Sequence, residues 1–197
     1  MEFYDVVASR HSVRRFKSDP VPEASVDRII EAFRRAPSWA NSQPWELLLA
    51  TEPPVKIALQ STVSRTNPAF RAVQEAPLLA CIIGILGVSG WYKRKTVTDR
   101  GDWFMFDCGI AAEHLVLAAA AEGLGSVHIG LFDAKKAGEL LCLPENRTVV
   151  ELIPLGYPNH TPRRIERKSP DDFLHFNTYG ERRRPMSASG ILPTAGA

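Results

Sequence analysis

Leu78-Leu79-Ala80-Cys81-Ile82-Ile83-Gly84-Ile85 is an uninterrupted apolar run with the length of one β-strand. A strand with no polar face has to be covered on both sides, so this run indicates the centre of a sheet packed between other layers. The chain has 197 residues, which is enough for one domain with a substantial core. We therefore predict a sheet whose central strand is residues 78–85.

Helical patterns surround this strand in the sequence. Residues 22–36 place apolar side chains on one face, and residues 107–122 form the longest predicted helix, with Asp107 as its cap and Gly123 as its stop. That helix is apolar almost all round, which predicts a path through the core or along a subunit interface. Shorter helices are predicted over 1–10, 54–62, 68–74 and 133–141, and further strands over 45–51, 126–129 and 148–155.

This mixture of helices and strands predicts an α+β fold with a central mixed or antiparallel sheet wrapped by helices. No repeat or linker divides the sequence, so residues 1–181 are predicted to form a single domain. Residues 182–197 contain little that could be buried, and we expect a disordered tail there.

Composition favours a cytoplasmic protein with neither a membrane nor a nucleic acid as its partner. The formal net charge is only +2. The longest apolar stretch, 110–121, contains Glu113 and His114 and is too short to cross a bilayer. Residues 1–10 lack the apolar core of a secretory signal. The three cysteines have no CxxC spacing, and we expect them to be buried free thiols in a reducing compartment.

Common catalytic motifs do not occur in the sequence. It has no phosphate-binding GxxxxGK[ST] loop, no GxGxxG dinucleotide motif, no GxSxG nucleophile turn and no HExxH. The five histidines have no metal-ligand spacing, so no metal is expected. An enzyme with this sequence would therefore take its reactive group from a cofactor, and we assign no catalytic side chain.

Two segments carry the groups that such a cofactor would need. In Arg10-His11-Ser12-Val13-Arg14-Arg15-Phe16, two arginines flank a serine, and a guanidinium grips phosphate oxygens in pairs. The alternative for this segment is a basic turn that faces solvent. The loop 36–45, with the sequence APSWANSQPW, could present amide and hydroxyl groups to a flat heteroaromatic ring, or could merely connect a helix to a strand.

Four segments in this order resemble the nitroreductase family. They are Arg10-x-Ser12-x-Arg14-x-Phe16, the Pro-Ser-x-x-Asn-x-Gln-Pro-Trp loop at 37–45, the helix 107–122 with the stretch 123–133 that follows it, and the Ile-Pro-Leu-Gly-Tyr-Pro stretch at 153–158. The resemblance covers roughly residues 2 to 178. It implies an intertwined homodimer with two FMN sites at the subunit interface, and it implies hydride transfer from NADH or NADPH to a small acceptor such as a nitroaromatic or a quinone.

The resemblance also implies roles for individual residues. Arg10, His11 and Ser12 would hold the phosphate and ribityl chain, and Arg14 would approach the N1/O2 edge of the flavin, where a cation favours the reduced form. The other expected cofactor contacts are Pro37, Ser38 and Asn41 from the partner subunit, Ile129 and Gly130 near flavin N5, and Arg167 with the weaker candidate Arg164 at the phosphate.

Several alternatives stay open at this point. Relatives with the same scaffold break down flavin, remove halogen from an aromatic amino acid or dehydrogenate a peptide ring, and the fold could also serve as a non-catalytic flavin-binding dimer. The segment 89–102 could set the substrate pocket, and its polar stretch 93–102 is either a mobile cover over the substrate or a plain loop. His128 is expected to be a packed residue and not a flavin contact. Asn67 is expected to be a surface residue and not a flavin contact.

Overall fold

The computed structural model describes residues 2–160 and 165–182. In chain order, its strands are Trp45–Ala50 (β1), Leu78–Ile85 (β2), Trp91–Tyr92 (β3), Lys95–Thr96 (β4), Gly125–Ser126 (β5) and Arg147–Gly156 (β6). The helices are Phe3–Ser9 (α1), Glu23–Arg34 (α2), Pro53–Gln60 (α3), Ala72–Glu75 (α4), Phe104–Ala121 (α5), Ala134–Leu140 (α6) and Pro170–Phe173 (α7). A 3₁₀ turn spans Trp39–Asn41. The predicted α+β class is confirmed. The predicted tail lies outside the described residues except for Arg182.

Four strands form the main sheet in the order β1-β2-β6-β5, and every neighbouring pair is antiparallel. β2 has the predicted bounds, and all but one of its residues are buried. β6 carries one extra residue against β2, because Ile82 pairs with Glu151 whereas Ile83 pairs with Val149. Such a bulge bends the strand and changes the direction of the side chains that follow it.

Each face of the sheet has its own core, because successive side chains of a strand point to opposite faces. Leu79 and Cys81 belong to the cluster that also contains residues of α3, α4 and α6. Ala80 and Ile82 belong to the cluster covered by α2 and α5. The sheet is therefore enclosed between two helical layers, as an all-apolar central strand requires.

α5 is the helix that organises the molecule. By length and composition it would qualify as a membrane span, and seven of its 18 residues are buried against the rest of the chain. It begins at Phe104, so the prediction that Asp107 caps it was wrong. Its end was predicted correctly: Gly123 adopts a positive φ of 76°, and the Leu124 N–H donates to Ala119.

The other differences from the sequence predictions are local. Residues 68–74 contain only the one-turn helix α4, and the predicted strand 126–129 is reduced to β5 and an isolated bridge at Ile129. The hairpin of β3 and β4 lies within residues 89–102, for which no secondary structure was predicted. Cys81 and Cys108 are buried free thiols as expected, but Cys142 is exposed.

Asp107 is a buried carboxylate in α5 whose hydrogen bonds connect two other segments, the loop before β1 and residues 89–102, to this helix. Its side chain is 1% exposed. One oxygen accepts a hydrogen bond from the Trp39 backbone N–H at 3.2 Å, and the other accepts from the Ser89 hydroxyl at 2.5 Å. Asp107 therefore fixes the loop before β1 and the start of the 89–102 segment with one group.

Asp107→Ala should lower the free energy of unfolding by about 2 kcal/mol, because it removes the partner of the buried Ser89 hydroxyl and of the partly buried Trp39 N–H. Urea unfolding followed by circular dichroism measures this. The matched control is Asp99→Ala, whose side chain is 91% exposed. The control should change stability by less than about 0.5 kcal/mol. Equal effects of the two substitutions would contradict this role of Asp107.

Candidate functional site

Residues 10–17, which we call the N-terminal arginine segment, leave α1 in an extended conformation and follow the edge of the main sheet. The Val13 N–H donates to the carbonyl of Ser126 in β5 at 2.8 Å. The Lys17 N–H donates to the carbonyl of Tyr157, just after β6, at 2.9 Å. Backbone hydrogen bonds therefore hold the segment at both ends, and its side chains lie at defined positions along the sheet.

Two glycines let this segment approach the sheet so closely. A Cβ built on Gly125 would lie 2.7 Å from the Cβ of Val13 and 2.6 Å from its Cγ2. A Cβ on Gly156 would collide with Pro77 and come within 3.3 Å of Phe16. Neither collision is with the tip of a flexible side chain, so a larger residue at either position must displace the backbone.

A cavity of about 220 Å³ opens beside the N-terminal arginine segment. Arg10 and His11 line it from the segment, Gly125 and Ser126 from β5, and Ala120 from α5. The side chain of Arg10 is only 16% exposed. A cationic side chain held at the wall of a cavity is suited to binding an anion there.

The arginines of this segment differ in whether they are already paired. Among the described residues, Arg14 has no ion pair or hydrogen bond to its guanidinium, and the nearest carboxylate to Arg10 is Glu113, with 4.0 Å between Nε and Oε1. Arg15 instead forms a 2.9 Å ion pair with Glu75. The two arginines predicted to bind the cofactor are therefore the two with free donors.

The predicted contacts in the loop before β1 lie at a second cleft. Pro37 and Ser38 line a cleft of about 130 Å³ together with Trp39, Trp103 and the start of α5. The Ser38 hydroxyl accepts a hydrogen bond from the Gln43 N–H at 2.8 Å. Asn41 is exposed and has a positive φ of 55°, a conformation that asparagine tolerates better than most residues.

A single chain does not bring the two clefts together. Ile110 of α5 lines the second cleft and Ala120 of α5 lines the first. Ten residues of α-helix span about 15 Å. One chain therefore offers the phosphate-binding candidates and the loop candidates at separate places along α5.

Ile129 and Gly130 follow β5. Ile129 is buried, and its backbone exchanges two hydrogen bonds with Leu152 of β6. Gly130 is exposed, and a Cβ built there would have no atom within 4 Å. The backbone at Gly130 is therefore open to approach from one side, as the sequence prediction requires.

The remaining candidates are only partly described. Arg167 is exposed, so its predicted return to the phosphate stays a prediction. Arg164 lies outside the described residues. Asn67 uses its side-chain oxygen within its own turn, where it accepts a hydrogen bond from the Ala69 N–H at 2.8 Å.

Sequence reasoning missed a charged cluster around His128. The expectation that His128 is packed was wrong: the residue is exposed, with Nε2 3.3 Å from Glu113 and Nδ1 2.8 Å from Glu151. The Glu113 and Glu151 carboxylates raise the pKa of His128 to about 9, so its imidazole is protonated at neutral pH. No spacing rule links residues 113, 128 and 151, because the sheet and α5 bring them together.

Comparison with known proteins identifies the family. Residues 7–157 match the Nitroreductase family. The chain belongs to the nitroreductase family. The match includes the N-terminal arginine segment, β6 and every residue lining the two clefts except Pro158, so the resemblance seen in the sequence motifs is confirmed.

Relatives of this nitroreductase-family chain carry several names. It is 32% identical to an NADH dehydrogenase of Thermus thermophilus over 76% of this chain and 83% of that protein. It is 26% identical to iodotyrosine deiodinase 1 of Rattus norvegicus over 88% of this chain and 68% of that protein. An FMN-dependent nitroreductase of Clostridium difficile superposes with a TM-score of 0.74 at 24% identity, covering 88% of this chain and 98% of that one.

Gly125→Ala should displace Val13 and, with it, the N-terminal arginine segment. The expected cost is about 1–3 kcal/mol of unfolding free energy, because the added methyl group has no space. The matched control is Gly138→Ala in α6, where the nearest atom to the new Cβ is 3.9 Å away. That change should stabilise the protein by about 0.5–1 kcal/mol, since alanine favours a helix. Thermal unfolding of both variants tests the contrast, and a Gly125 variant as stable as the control would contradict it.

Proposed function

We propose that this chain binds FMN and uses it to pass hydride from NADH or NADPH to a small acceptor such as a nitroaromatic or a quinone. The observation that carries the proposal is the pair Arg10 and Arg14 in a chain of the nitroreductase family. Their guanidinium groups have no hydrogen-bond partner among the described residues, and the segment that carries them is fixed to the edge of the sheet. The cofactor supplies the reactive group, because N5 of the flavin accepts and donates hydride.

The residues present fit a flavin phosphate. Arg10 and His11 line the cavity beside β5, and Ser12 lies between them and Arg14 in the extended N-terminal arginine segment. Charge-assisted hydrogen bonds from guanidinium to phosphate oxygens are among the stronger polar contacts in proteins. In this proposal the segment binds the phosphate and ribityl chain, and Arg14 faces the N1/O2 edge, where negative charge develops on reduction.

A second copy of the chain completes the site in this proposal. Pro37, Ser38 and Asn41 would reach the flavin from the other subunit, which accounts for their distance from the arginines along α5. Met105 and Phe106 at the start of α5 are 55% and 60% exposed. Exposed apolar side chains next to the second cleft are what a subunit interface requires. Size-exclusion chromatography with light scattering tests the homodimer.

Arg10→Ala should weaken FMN binding by about ten- to hundredfold, because it removes charge-assisted hydrogen bonds to the phosphate. Fluorescence titration of the apoprotein measures the affinity. The matched control is Arg15→Ala, since Arg15 is the neighbouring arginine already paired with Glu75. The control should change FMN affinity by less than about threefold. Riboflavin, which lacks the phosphate, should bind wild type and Arg10→Ala with similar affinity.

The redox part of the proposal has its own test. The purified protein should be yellow and should bleach when NADH or NADPH is added without oxygen, and a nitroaromatic or quinone should restore the colour. A protein that binds no FMN on titration would overturn the whole proposal. A yellow protein that neither nicotinamide reduces would overturn the choice of reductant and leave the flavin site standing.

A second candidate is reductive removal of halogen from an aromatic substrate. The observation in its favour is the similarity to iodotyrosine deiodinase 1 over 88% of this chain. The second cleft, with Trp39, Trp103 and Phe106 in its walls, has the aromatic surfaces that could stack on such a ring. Release of iodide from 3-iodotyrosine by the reduced protein, compared with its rate on a nitroaromatic, separates the two candidates.

A further inference from the structure

Four charged side chains form a row from the phosphate-binding candidate Arg10 to Glu151 of β6. Glu113 points one oxygen, Oε1, at Arg10 Nε over 4.0 Å, and the other, Oε2, at His128 Nε2 over 3.3 Å. His128 Nδ1 then lies 2.8 Å from Oε1 of Glu151. Glu113 is therefore shared between an arginine and a histidine.

Secondary structure fixes the members of this row. His128 lies between buried Val127 and Ile129. Because Ile129 pairs with Leu152, the side chains of His128 and Glu151 both point to the opposite face of the sheet, towards α5. Glu113 comes from α5, and Arg10 is the first residue after α1. Two elements, α5 and β6, and two segments that form backbone hydrogen bonds to the main sheet meet at the row, so its geometry does not depend on one mobile loop.

The protonation state of His128 determines the net charge of the four side chains in the row. The groups that face His128 are Glu113 from α5 and Glu151 from β6, and Arg10 of the N-terminal arginine segment faces Glu113. With a protonated imidazole the row has two positive and two negative charges. With a neutral imidazole it has a net charge of −1, and the carboxylate nearest to Arg10 has lost one of its two cationic neighbours.

That balance matters for an anion at Arg10. The 4.0 Å separation from Glu113 is too long for a hydrogen bond, so the guanidinium N–H groups are free for another acceptor. A Glu113 without its histidine would attract Arg10 more strongly and would repel a phosphate beside it. When protonated His128 offsets the charge of Glu113, the carboxylate attracts Arg10 less and repels the phosphate less.

We propose that His128 is a positioning residue for the cofactor phosphate: it engages Glu113 and thereby leaves Arg10 available to the phosphate. The inference rests on the proposed FMN site. His128 touches no part of the cofactor in this account and acts only through Glu113. A histidine at this place therefore adds a dependence on pH to the binding of phosphate.

The direction of that dependence follows from the titration of His128. Its pKa is raised from the usual 6.5 to about 9 by hydrogen bonds to Glu113 and Glu151. Below about pH 8 most His128 side chains are protonated, and their favourable effect on phosphate binding is lost as the pH rises through about 9. Preference for FMN over riboflavin should therefore fall between about pH 8 and pH 9.5, and the isoalloxazine ring, common to both ligands, cancels in that ratio.

The experiment measures dissociation constants of FMN and riboflavin for the apoprotein by fluorescence titration. At about pH 7.5, His128→Gln should weaken FMN binding by about three- to fivefold, with little change for riboflavin. Glu113→Gln should bind FMN as well as wild type or better. The double variant should bind FMN within about twofold of Glu113→Gln, because the carboxylate that His128 restrains is gone. Glu145→Gln, an exposed carboxylate outside the row, controls for the change in net charge.

Each outcome has a distinct meaning. A His128→Gln variant that binds FMN like wild type overturns the inference, and so does a double variant as weak as His128→Gln, since the histidine would then act directly on the phosphate.

If His128→Gln does not fold, wild type and Glu113→Gln carry the test: the FMN preference should fall at high pH only in wild type. A wild type that does not prefer FMN to riboflavin overturns the phosphate site and this inference together, whereas an intact preference with no His128 effect overturns the inference alone.

Discussion

Main-chain pairing between the N-terminal arginine segment and the edge of the main sheet is the contact on which the site depends. Val13 bonds to Ser126, Lys17 bonds to Tyr157, and the Asn159 N–H donates to Arg15 at 3.0 Å. Backbone hydrogen bonds fix position and direction together, so they place the side chains at 10, 12 and 14 without help from those side chains. The arginines can therefore keep their donors for a ligand, and the fold does not need them for its own stability.

α5 provides the second constraint. It is the longest helix, it packs on the sheet through small and aliphatic residues, and it contributes to both clefts. Because a helix is stiff over this length, the distance between the clefts is fixed by the fold. Asp107 holds the loop at one cleft while Glu113 faces Arg10 near the other, so polar groups on one helix serve two parts of the proposed site.

The sequence allowed prediction of features that depend on nearby residues. The bounds of β2 follow from an apolar run, the end of α5 from Gly123, and the start of α6 from Asp133, whose side chain accepts a hydrogen bond from the Lys136 N–H. The N-terminal arginine segment was recognisable from its arginine spacing and its family resemblance. Features that depend on distant residues were missed. Asp107 resembles a helix cap until its partners Trp39 and Ser89 are known, and the environment of His128 depends on two glutamates from different elements.

The close packing at Gly125 and Gly156 limits which substitutions these two positions can accept during evolution. A side chain at 125 meets Val13, and one at 156 meets Pro77 and Phe16. A larger residue at either position requires a second substitution at the residue it meets, or a shift of the backbone there. Those five sites are therefore coupled: a change at one of them without a compensating change at its neighbour displaces the arginines and weakens the packing at the edge of the sheet.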